Sequence, residues 1–132
     1  MSKVVFGLFV LSVLFSFSGC EEQSKEKGTI AGKINIGPLC PVETDPPDSG
    51  CLPTAETFKA YPVYIHASDG SQNILIKPAL DGSFNVELEP GDYFVTLEKV
   101  LVVPESSNLP LAFRVNQSEK TIITIEIDTG IR

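Results

Sequence analysis

One histidine, His66, and three acidic residues, Glu43, Asp45 and Asp48, are the side chains here whose types suit general-base or metal chemistry. A lone imidazole lacks the orienting and nucleophilic partners that activation requires. The sequence has no His-x-x-x-His pair, phosphate-binding glycine loop, nucleophile elbow or dinucleotide fingerprint. Ser49 and Ser83 have no base near them in sequence. The acidic trio could offer oxygen ligands to calcium, but its spacing matches no EF-hand and prolines interrupt it. The expectation is a chain that is not an enzyme, holds no metal and needs no cofactor, with Glu43, Asp45 and Asp48 as a candidate binding loop. The formal net charge of -7 and pI near 4.6 argue against a nucleic-acid partner, which requires a basic face.

The three cysteines, Cys20, Cys40 and Cys51, carry more information. Lys3 precedes an apolar run over residues 4–17, broken only by Gly7, Ser12 and Ser16. That run is shorter than the roughly 20 residues of a membrane span, and reads as a secretory signal peptide. Its end, Phe17-Ser18-Gly19-Cys20, resembles a bacterial lipoprotein signal, in which cleavage before the cysteine leaves a lipidated N-terminus. An ordinary signal peptide with an incidental cysteine is the alternative. The resemblance implies a signal peptide over residues 1–19, a lipidated tether over residues 20–27 and a folded domain over residues 28–132. It also implies a cell-envelope address, with the membrane as a partner through Cys20. Residues 21–27 are polar and charge-mixed, as a flexible spacer should be. Cleavage removes Lys3, so 9 basic residues face 17 acidic ones and the mature charge is -8. In an exported chain, Cys40 and Cys51 should pair, constraining the unfolded state by roughly 2–3 kcal/mol. A redox pair is the alternative, but the spacing is far from Cys-x-x-Cys.

These residues need a scaffold, and 132 residues, 42% of them hydrophobic, suit a single domain. Period-two alternation predicts strands over residues 28–37, 59–67, 72–77, 84–88, 93–97, 111–115 and 121–127. Pro62 suggests that the second starts late or lies at an edge. Ile30, Ile34, Ile36, Val63, Ile65, Phe84, Val86, Leu88, Tyr93, Val95, Ile123, Ile125 and Ile127 fall on core faces. Residues 38–55, with five prolines, read as an irregular loop excluding helix and regular strand. Turns are expected at Asp69-Gly70-Ser71, Asp81-Gly82, Pro90-Gly91 and residues 116–119, with φ above zero available to Gly82 and Gly91. The two strands flanking Pro90-Gly91 read as neighbours. Val100, Leu101, Val102 and Val103 fit either a strand buried on both faces or a loop across the sandwich's open end. His66 is expected beside Tyr64 on an outward face. No segment has a helical period.

Residues 81–93 read D-G-x-F-x-V-x-L-x-P-G-x-Y, and residues 28–34 read G-T-I-A-G-K-I. This pattern resembles the signature of the carboxypeptidase regulatory-like, or prealbumin-like, β-sandwich. Gly37-Pro38-x-Cys40-Pro41-Val42 with Cys51 downstream, and the ending Asp-Thr-Gly-Ile-Arg, resemble small secreted bacterial members of that group. The resemblance implies an all-β, seven-stranded Greek-key sandwich that serves as an accessory, adhesive or stabilising module. Two functions follow as expectations. One is a non-catalytic binding or structural module that presents the Cys40–Cys51 loop and the residue 100–110 connection. The other is an accessory subunit pairing with an envelope protein through a sheet edge.

Overall fold

A computed structural model describes residues 24–42, 44–98 and 108–131. The expected signal peptide and lipidated Cys20, Glu43, residues 99–107 of the expected contact connection and Arg132 lie outside the described residues. Among the described residues seven strands form: β1 (Gly28–Gly37), β2 (Val63–Ala67), β3 (Asn73–Leu75), β4 (Ser83–Leu88), β5 (Gly91–Leu97), β6 (Leu111–Val115) and β7 (Lys120–Asp128). They make a three-stranded sheet in the order β4-β1-β7 and a four-stranded sheet in the order β3-β2-β5-β6. β1 runs antiparallel to β4 and parallel to β7, so the first and last strands lie side by side. The four-stranded sheet is antiparallel throughout.

The alternation in sequence becomes the core. Ile30, Ile34 and Ile36 of β1, Phe84 and Leu88 of β4, and Ile125 and Ile127 of β7 are buried from one side. Val63, Ile65 and Ala67 of β2, Tyr93 and Val95 of β5, and Val115 of β6 meet them from the other. Each fully buried aliphatic side chain stabilises the fold by roughly 1.5–3 kcal/mol. Outward residues are polar, with exceptions such as Ile122 of β7, which is 73% exposed.

Three expectations are corrected. First, the strands flanking Pro90-Gly91 are not neighbours. β4 pairs with β1 in one sheet, and β5 pairs with β2 and β6 in the other. Only Glu89 and Pro90 separate them, so the chain crosses between layers there. The crossing is pinned by Tyr93, whose buried ring stacks on Phe113 at 5.7 Å. Its hydroxyl donates to the Glu89 carbonyl at 2.8 Å. Second, Gly91 does not take positive φ. Gly82 does, at 83°. A Cβ there would also meet the Ile34 carbonyl oxygen at 2.2 Å, so Gly82 is required both by conformation and by close approach.

Third, the segment before β2 is helical. Ala55–Ala60 forms a short helix, α1, and a single 3-10 turn spans Ser49–Cys51. The Thr54 hydroxyl accepts from the Thr57 N–H at 3.3 Å, and the Thr57 hydroxyl accepts from the Thr54 N–H at 3.0 Å. This reciprocal cap satisfies donors that a helix start leaves open. Glu56 in the first turn and Lys59 in the last suit the helix dipole and pair with each other at 2.7 Å. Pro62 then stops the helix, and β2 begins at Val63. Among the described residues, no helix is long and apolar enough to cross a membrane.

Candidate functional site

The Cys40–Cys51 loop is closed by a disulfide, with Cα atoms 5.5 Å apart. Its proline-rich course forms no strand among the described residues. Asp48 turns its carboxylate inward on the loop itself, accepting from the Gly50 N–H at 2.9 Å and so capping the Ser49–Cys51 turn. The Thr44 hydroxyl donates to the Pro46 carbonyl at 3.0 Å. Asp45 is exposed. Among the described residues, no three His, Cys, Asp or Glu side chains gather around a common point. The described loop therefore offers separated carboxylates and apolar surface, the latter from Val42, which is 74% exposed.

The loop delivers the chain to α1, and α1 forms one wall of an apolar groove that the sequence reading did not anticipate. Phe58 of α1 packs on the core, with Leu39 and Tyr61 partly buried beside it. Opposite Phe58 runs the connection from β3 to β4, through Ile76, Pro78 and Leu80. The groove between them holds about 550 Å³, and Lys59 and Lys77 also line it. A second depression of about 570 Å³ is lined by Leu52, Pro53 and Leu80 together with β1 residues such as Ile34 and Ile36. Leu80 is 68% exposed and lines both. The signal that would have located α1 was present: a threonine cap, an acidic first turn and a lysine in the last turn. The alternation of Tyr61, Val63 and Ile65 beyond Pro62 overrode it.

His66 lies on the outer face of the four-stranded sheet beside Tyr64, as expected, but it is half-buried by its neighbours. Its Nε2 is 2.7 Å from the Thr96 hydroxyl, and its ring stacks on Phe94 at 5.0 Å. The imidazole thus has a hydrogen-bonding and a stacking partner within the sheet. Further along the same face, Arg114 of β6 grips Asp92 of β5 with two bonds, at 2.7 and 3.1 Å. The guanidinium holds the Asp92 carboxyl below its ordinary range, and the carboxylate raises the Arg114 value in turn. Both side chains are exposed, so the pair contributes little to stability. Asp69 and Asp81 are lowered because Ser71 and Ser83, respectively, donate to them in the turns. These carboxylates are engaged in holding turns and strands.

No family model matches the chain, and no curated protein matches it. Among solved structures, a minor pilin of Streptococcus agalactiae, GBS52, is similar at 13% identity and a TM-score of 0.51. That match covers 78% of this chain and 44% of the pilin. A DUF3823 family protein from Parabacteroides merdae is similar at 16% identity and a TM-score of 0.47, covering 77% of this chain and 46% of the other. The major pilin subunit BcpA of Bacillus cereus gives 14% identity and a TM-score of 0.45, over 78% and 28%. The chain spans less than half the length of each. At these identities, the likeness to the minor pilin is one of β-sandwich fold.

Proposed function

We propose that this chain is a non-catalytic, lipid-anchored binding or structural module of the bacterial cell envelope, built on a prealbumin-like Greek-key sandwich. The observation that carries this reading is the disulfide-closed loop that leads into α1, one wall of the apolar groove of Phe58, Pro78 and Leu80. A disulfide suits an exported chain. A groove of this volume lined by apolar side chains suits recognition, since pockets of roughly 300–1,000 Å³ are typical of binding sites. The N-terminal sequence supports anchoring through Cys20. Several acyl chains, at about 0.8 kcal/mol per buried methylene, hold a protein stably where one chain does not. The pilin likeness is compatible with a surface address, although it carries only the fold.

Photo-crosslinking in intact cells tests the binding role, with the reactive side chain placed at Val42 or Leu80. Recovery of one defined product from both positions supports a recognition surface made by loop and groove. Capture from neither position, at full expression, would end that reading. A second reading, an accessory subunit pairing through a sheet edge, is favoured by the outer edge of β7, a nine-residue strand whose other neighbour is β1.

A further inference from the structure

The backbone of β7 presents its two sides very differently. On one side, Thr29 N–H donates to the Glu119 carbonyl at 2.8 Å, and Thr129 N–H donates to the Gly37 carbonyl at 3.1 Å, so odd-numbered residues face β1. The N–H and C=O groups of Lys120, Ile122, Thr124 and Glu126 therefore point away from the sheet. Among the described residues, one side chain meets them. Asn108 donates its Nδ2 to the Thr124 carbonyl at 2.9 Å and accepts from the Glu126 N–H through Oδ1 at 3.0 Å. One carboxamide thus reproduces the donor and acceptor that a neighbouring strand would supply. Among the described residues no strand pairs with the rest of this edge, and β7 is long and holds no proline. Its one lysine, Lys120, sits at the end, and Ile122 stands 73% exposed.

We infer that the β7 edge pairs with the β7 edge of a second copy of this chain, antiparallel about a two-fold axis at Ile123, making a continuous six-stranded sheet. The sequence of the strand selects this register. With Ile123 on the axis, Lys120 lies opposite Glu126 of the second copy, and Ile122 lies opposite its Thr124. The two-fold axis repeats both pairs, as a self-complementary interface requires. All four residues are exposed on one face, and all four have edge-facing backbone groups, so they form the hydrogen-bonded pairs of an antiparallel ladder. A slip of two residues one way keeps an ion pair, Lys120 against Asp128, but sets Ile122 against the Glu126 carboxylate. A slip the other way sets Ile122 against itself but leaves Lys120 against Thr124 and Glu126 against Ser118, so the register about Ile123 is the one that pairs the charges without opposing Ile122 to a carboxylate. The net charge of -7 opposes association in general, and the two Lys–Glu pairs offset it locally. Asn108 competes for the same Thr124 and Glu126 groups, and so acts as a removable plug that keeps the pairing reversible.

This inference goes beyond the envelope reading and does not depend on the lipid. The full chain, extracted in detergent, is examined by sedimentation equilibrium at matched solvent density. A monomer–dimer equilibrium is expected. Asn108→Ala should tighten it at least about threefold, by freeing one carbonyl and one N–H per copy. Lys120→Glu or Glu126→Lys alone should weaken it about tenfold, because like charges then face each other at two points. The double reversal should restore it to within about threefold. Glu126 also accepts from the Asn35 side chain at 2.8 Å, and the double variant carries the same loss as the single one, so rescue separates edge pairing from misfolding. A chain that stays monomeric at every concentration, with and without Asn108, overturns the inference. So does association indifferent to the charge reversals, or a β7 edge occupied stoichiometrically by a different protein. A monomer that still crosslinks through Val42 and Leu80 would defeat this inference alone.

Discussion

Removing the Tyr93 hydroxyl tests how the two sheets are joined. The Tyr93 side chain is 4% exposed, and its hydroxyl bonds the Glu89 carbonyl across the crossing from β4 to β5. Tyr93→Phe keeps the ring and its stacking on Phe113, deleting one hydrogen bond. Such a bond contributes about 0.5–1.5 kcal/mol net, and Glu89 is only half-buried, so water can satisfy its carbonyl. The expected loss is about 1 kcal/mol, or a fall in Tm of about 4–8 °C for a domain of this size. Tyr93→Leu also removes the ring and should cost several times more, about 3 kcal/mol. Burial, followed by the nearby charges of Glu89 and Asp69, raises the Tyr93 phenol above 10. The neutral phenol is thus favoured in the folded state. Its stabilisation is fully present below the unfolded value near 10 and is lost as pH rises through the folded value. Urea unfolding at pH 7 and at pH 10–11 measures both effects. Tyr93→Phe should lower stability at pH 7 and flatten its decline at alkaline pH. A phenylalanine variant as stable as the parent, with an unchanged alkaline slope, would refute a pinned crossing.

Three further outcomes follow from the packing. Gly32→Ala should destabilise by about 3 kcal/mol in a denaturant melt, because its Cβ would lie 1.9 Å from the Ile123 carbonyl oxygen and force β1 and β7 apart. Replacing Cys40 and Cys51 together by serine should cost about 2–3 kcal/mol by the chain-entropy argument, for a sequence separation of 11, while circular dichroism of the sandwich stays unchanged. Acid should destabilise the domain below about pH 4: the carboxyls of Asp69, Asp81 and Asp92 are depressed, so their stabilisation is present above the unfolded value and lost as pH falls through the folded one. All three are exposed, so added salt should weaken the effect at Asp92, as an acid titration of Asp92→Asn beside the parent would show.

Much of the sandwich was legible because alternation encodes burial directly. Ile30, Ile34 and Ile36 read as one face and are one face, and the same holds for Ile125 and Ile127. Alternation says nothing about which sheet a strand joins. Phe84 and Tyr93 are both inward, yet they sit in opposite layers, and Glu89-Pro90 looks the same in sequence whether it turns a hairpin or crosses a sandwich. The candidate site was legible only in part. The disulfide followed from the expectation of export, and Asp48 was a candidate ligand that the structure uses as a cap. The groove was hidden because α1 has six residues, too few to show a helical period, and its wall at Leu80 comes from a connection. The Asn108 contact with β7 spans 16 residues and rests on a side chain mimicking backbone, a pairing that periodicity does not encode.

The proposed lipid on Cys20 would hold the domain at a membrane. Growth of cells expressing the full chain with an alkyne-bearing fatty acid, followed by dye coupling, reads this directly. A labelled band is expected that loses the mass of residues 1–19 and disappears in Cys20→Ser, with the Cys40–Cys51 disulfide retained. Label that persists in Cys20→Ser, or no label on an exported and processed chain, would contradict it.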